Sequence, residues 1–119
     1  MILACKKNGD VTPTVVAPPK LTLNSPNDND QLLGGATLNI KGQVEDANGL
    51  ESLSIKITAD NTGEVLFQAT PSVLDAKNYA LNTTWTVKVN DWLDATMTIT
   101  VANHAGMKTE KKVKVKLWL

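Results

Sequence analysis

The side chains of this chain that could do chemistry are few, and most fall in turns. Histidine occurs once, at His104, and cysteine once, at Cys5, so no Ser/His/Asp or Cys/His set can be assembled and a zinc site lacks its nitrogen and sulfur ligands. Two carboxylate pairs occur, Asp28 with Asp30 and Asp91 with Asp94, and paired carboxylates are what glycoside hydrolysis uses. Both lie in loop-forming stretches, without the apolar enclosure that would raise one pKa. The glycines are spaced as turn formers and not as a phosphate cradle. The chain is therefore expected not to be an enzyme.

Two binding chemistries remain. Asp28, Asp30 and Asp60 are hard oxygen donors that would collect a calcium ion if their loops converged. Their spacing is not that of an EF-hand, and turn formation alone accounts for aspartate and asparagine at these places. The second set is Asp91, Trp92, Asp94 and Trp118, in which indoles would stack on the apolar face of a sugar while carboxylates accept bonds from its hydroxyls. Trp85 differs, because it shares the parity of apolar neighbours and reads as a core residue.

Positioning these groups falls to strands. Apolar and polar residues alternate at Leu38, Ile40 and Val44, at Leu53, Ile55 and Ile57, at Leu81, Trp85, Val87 and Val89, and at Ala95, Met97, Ile99 and Val101. Short strands are also expected at residues 20–23, at 64–69 with Val65 and Phe67 inward, and near the C-terminus with Val113, Val115 and Leu117 inward against Lys112, Lys114 and Lys116. Residues 24–30 read as a turn, 31–35 as the crossing to the next strand, and 71–78 as a crossing between sheets. Seven short antiparallel strands with turns between them and no helix predict an all-β, two-sheet sandwich. Alternating strand direction sorts the loops into two poles. Asp46, Asn48, residues 72–78 and His104 share the pole where the chain enters, and Asp28, Asp30, Asp60, Asp91, Trp92 and Asp94 share the other.

Charge narrows the partners. Twelve basic residues, all lysine, balance twelve carboxylates, and the absence of arginine removes the bidentate reader of phosphate and guanine, so nucleic acid is excluded as a partner. Lys108, Lys111, Lys112, Lys114 and Lys116 crowd the last strand. They fit either an anionic glycan or the charged edge that discourages strand pairing.

The turns Asp46-Ala47-Asn48-Gly49-Leu50 and Ala102-Asn103-His104-Ala105-Gly106-Met107 resemble those of bacterial immunoglobulin-like domains of cell-surface proteins. The second departs from that pattern, with His104 or Asn103 in place of an aspartate and Met107 in place of an asparagine. The resemblance covers residues 20–119 and implies an immunoglobulin-like, fibronectin type III-like sandwich in an extracellular setting. The antibody cysteine pair is absent, and Met97 stands near the place of a corner tyrosine.

Ile2-Leu3-Ala4-Cys5 resembles the lipobox of bacterial lipoproteins, which implies a membrane partner through lipidated Cys5 and an address in the cell envelope. The basic and apolar regions of a signal peptide do not precede it. Pro13, Pro18, Pro19 and Gly9 make residues 1–19 read as a tether that could reach up to about 40 Å. The expected function is a monomeric, non-catalytic surface or periplasmic module for adhesion, spacing or protein interaction, with no cofactor except a calcium ion. The alternative is a glycan-binding module at the distal pole.

Overall fold

A computed structural model describes residues 17–89 and 91–118. Eight strands are present among them: β1 (Lys20–Ser25), β2 (Asp30–Leu33), β3 (Thr37–Glu45), β4 (Leu50–Ala59), β5 (Val65–Ala69), β6 (Asn78–Thr86), β7 (Leu93–Asn103) and β8 (Lys108–Trp118). They form a three-stranded sheet in the order β1-β3-β6 and a five-stranded sheet in the order β2-β8-β7-β4-β5. Each sheet turns its apolar parity toward the other. The core comprises Leu38, Ile40 and Val44 from β3, Leu81 and Trp85 from β6, and the aliphatic residues of β4, β7 and β8, with Met97 at its centre. Fully burying one Ile or Leu side chain contributes about 1.5–3 kcal/mol, so a dozen such residues dominate the stabilisation.

The sandwich is the expected one, with three differences. Asp30–Leu33 is an eighth strand where a turn and a crossing were expected, and it pairs parallel with β8, from Asp30 opposite Val115 to Leu33 opposite Trp118. Four residues are too few for alternation to show, and only Leu32 packs against the core. The other ladders are antiparallel. At β5, Val65 is exposed and Leu66 packs on the core, because a register shift between Ile57 and Thr58 sets Val65 opposite outward-facing Thr58. Phe67 keeps its inward contact, 5.9 Å from Trp85 between ring centroids. β6 ends at Thr86, three residues short of the expected Val89, although Val87 still exchanges backbone hydrogen bonds with Gly35 and Ala36.

The two poles are as expected. At the entry pole, Leu50 N–H donates to Ala76 O (2.8 Å), Asp46 N–H to Lys77 O (2.9 Å) and His104 N–H to Gly49 O (3.1 Å), which draws three turns together. At the distal pole, Asp60 N–H donates to Asp94 O (2.9 Å), joining the β4–β5 turn to the start of β7.

β1 passes close to β3 at Gly42, where a Cβ would collide with the Thr22 carbonyl oxygen and lie 3.2 Å from Leu23 Cα. Both are backbone atoms, which cannot rotate away. Gly42→Ala is expected to destabilise the domain by about 1–3 kcal/mol, a fall in thermal midpoint of about 4–8 °C per kcal/mol for a domain of this size. An unchanged midpoint by circular dichroism would contradict this packing.

Candidate binding site

The register of the last two strands builds the site. Leu93 lies opposite Leu117 and both face the core, so position 92 comes to stand beside position 118 on the outer surface. The rings of Trp92 and Trp118 meet there, 4.5 Å between centroids and tilted by 48°. Trp92 is 64% exposed, whereas Trp118 is half-buried. On the far side of Trp118, its β2 neighbour Leu33 is also exposed.

Polar groups continue the surface along the outward positions. Asp94 lies opposite Lys116, whose Nζ approaches its Oδ1 at 3.4 Å. One step further, Lys114 Nζ donates to Asp60 Oδ2 (3.0 Å) and to Thr96 Oγ1 (2.9 Å), and the Thr96 hydroxyl donates to Asp60 Oδ1 (2.6 Å). The Thr96 hydrogen bond holds the Asp60 pKa below the ordinary carboxylate value. Partial burial opposes it, and the hydrogen bond and charge of Lys114 add to the lowering.

These residues line three adjoining depressions. One of about 250 Å³ is formed by Trp92, Leu93, Asp94, Lys116, Leu117 and Trp118. A second of about 370 Å³ adds Asp60 and Asn61, and a third of about 230 Å³ lies toward Lys114 and Asn29. Asp94 borders all three, so they form one open belt around the distal pole.

Of the sugar-binding set, Trp92, Asp94 and Trp118 thus share one cleft. Asp91 lies beside it, where its Oδ1 accepts the Trp92 backbone N–H (2.7 Å). The sequence reading assigned no place in this site to Lys116 or Lys114. Their signal was the outward parity of β8, which a plain solvated face produces equally well.

The calcium set is not assembled. Asp30 and Asp60 border strands with β8 and β7 between them, three interstrand spacings or roughly 14 Å apart, whereas calcium ligands lie about 2.3–2.6 Å from the ion. Asp28 accepts the Lys114 backbone N–H, Asp30 accepts the Asn27 N–H, and the Lys114 ammonium already supplies the cation at Asp60. Among the described residues no three His, Cys, Asp or Glu side chains form a metal-binding group. His104 sits at the opposite pole, donating through Nε2 to Asp75 Oδ1 (2.6 Å). Cys5 lies outside the described residues.

No protein-family model matches the chain, and no curated protein matches its sequence. Among solved structures, CopC from Methylosinus trichosporium OB3b is similar with a TM-score of 0.52 and 14% identity, over 83% of this chain and 94% of that one. The Clostridium thermocellum CbhA fibronectin(III)-like modules are similar with a TM-score of 0.50 and 18% identity, over 89% of this chain. This chain matches 48% of the CbhA chain, about half its length. At these identities the likeness is one of fold, an all-β sandwich like that of the fibronectin(III)-like modules.

The Asp60 cluster carries a pH signature. Because folding lowers this pKa, the stabilisation is present above the unfolded-state value near 3.9 and is lost as pH falls through the lower folded-state value. Asp60→Asn is expected to lower the thermal midpoint at pH 6 by the equivalent of no more than about 1 kcal/mol, since the cluster is open to solvent. The gap between variant and parent should close toward pH 2. A gap of constant size across that range would contradict the assignment.

Proposed function

We propose that this chain is a non-catalytic binding module of a bacterial cell envelope, tethered through a lipid on Cys5 and meeting its partner at the distal pole. One observation carries the reading: the exposed Trp92 and its neighbour Trp118 stand at the end of the sandwich opposite the entry of the chain. A large aromatic side chain left in water is the usual anchor of a recognition surface. An anchor at one end and a contact surface at the other is the arrangement an adhesion or interaction module needs. The lipobox resemblance of Ile2-Leu3-Ala4-Cys5 supports the envelope address, and the fold supports a binding or spacing role. The open distal surface offers no enclosure to exclude water from a reaction.

The two halves of this reading are tested separately. Expressed behind a bacterial signal peptide, the full chain is expected to incorporate palmitate and to sediment with membranes after an alkaline wash that strips proteins held without a lipid, and Cys5→Ser to lose both properties. Sedimentation of Cys5→Ser with membranes at the parental level would remove the anchor from the account. The soluble Cys5→Ser chain is expected to bind isolated envelopes, and adding Trp92→Ala to weaken that binding at least tenfold. Equal binding by both chains would move the contact away from the distal pole.

A further inference from the structure

We infer that the Trp92–Trp118 cleft takes an uncharged pyranose of a polysaccharide. This rests on the distal pole being the binding surface, and it deepens that reading by naming the ligand's chemistry.

The first argument is shape. Trp92 and Trp118 meet at 48°, giving an angled aromatic wall beside a cleft of about 250 Å³, near the small end of ligand pockets. The C–H face of a pyranose ring stacks on such a wall, and the adjoining depressions along Asp94 continue it for the next ring of a chain.

The second argument is an unmade hydrogen bond. Trp118 Nε1 is buried and has no hydrogen-bond partner among the described residues. A buried donor without an acceptor is uncommon because its desolvation goes uncompensated. It lies on the ring against which Trp92 rests, and Trp92 is the more exposed of the two. A ring hydroxyl oxygen reaching it would supply the missing acceptor.

The third argument is charge. Lys116 pairs with Asp94 and Lys114 with Asp60, so the charges that line the belt cancel, and Asp91 beside it adds a negative one. A uronate or phosphate entering it would gain one lysine only by separating that lysine from its aspartate. A neutral hydroxyl, which donates and accepts at once, bonds to carboxylate, ammonium and indole N–H without breaking either pair. The belt therefore favours hydroxyl-bearing, uncharged rings over the anionic glycans that a count of lysines suggests.

The soluble full-length Cys5→Ser chain, titrated by tryptophan fluorescence, is the test. The probes are cellohexaose, xylohexaose, mannohexaose and maltohexaose, with hexagalacturonate as the anionic comparison. At least one neutral probe is expected to saturate below ~10 mM, with an affinity that holds from low salt to about 0.5 M, where charge interactions are screened. Trp92→Ala should weaken it at least tenfold. Trp118→Phe, which keeps a ring and removes the N–H, should weaken it several-fold, with thermal melts confirming that both variants fold. No saturation with any neutral probe would overturn the inference, as would tighter, salt-sensitive binding of hexagalacturonate. If every sugar fails while Trp92→Ala still lowers envelope binding, the saccharide assignment falls and the distal-pole reading stands.

Discussion

The fold is pinned at one end by a single buried amide. Asn103 is fully buried, and its Nδ2 donates to Asp46 Oδ1 (2.9 Å) and to Ala17 O (3.1 Å). Its Oδ1 accepts from Ala105 N–H (3.1 Å) and Met107 N–H (2.9 Å). Two donors and two acceptor sites are thus all used, which makes the side chain stabilising where an unsatisfied amide would be costly. The bonds join three segments distant in sequence: the turn after β3, the turn after β7, and the backbone by which the chain enters. Thr109 adds a second tie, its hydroxyl donating to Pro19 O (2.6 Å). The chain thus enters the sandwich at the pole opposite Trp92 and Trp118.

The opposite end is built on the reverse principle. Around Asn103 each polar atom of the side chain has its partner inside the protein. Around Trp118 an indole N–H has none among the described residues, and the ion pairs beside it stand open to water. Satisfied polar groups give a rigid end suited to bearing a tether. Unsatisfied or exposed ones leave free energy to be recovered from a ligand. That difference in chemistry is the one the proposed function draws on.

Much of this was legible in the sequence because strands report on themselves by parity. The alternations place Ile40, Ile55, Ile99 and Val115 inside, and the direction of the last strand, not parity, brings Trp118 to the pole where the turn holds Trp92. The turn from Asp46 to Leu50 was legible too: Gly49 takes φ +91° and Leu50 is fully buried, as a glycine followed by an apolar residue suggests. Other features were not. Asp30–Leu33 is too short for a period, and Val65 is turned outward by a bulge whose cause lies in the pairing of another strand. Asn103 looks like any turn asparagine until Asp46, 57 positions away, is seen beside it. The aspartates read as calcium ligands illustrate the same limit, for residue type was visible and the strands lying between them were not.

On the proposed function, the ligand meets the distal aromatic pair while the entry pole stays unchanged. The most direct measurement is the set of indole and side-chain amide proton–nitrogen resonances of the soluble Cys5→Ser chain, followed while the four neutral hexasaccharides are added. The Trp92 and Trp118 indole signals are expected to move together and saturate, while those of Trp85 and the Asn103 side-chain amide hold their positions. Movement confined to Asn103 and its neighbours, or no movement of either distal indole, would contradict it.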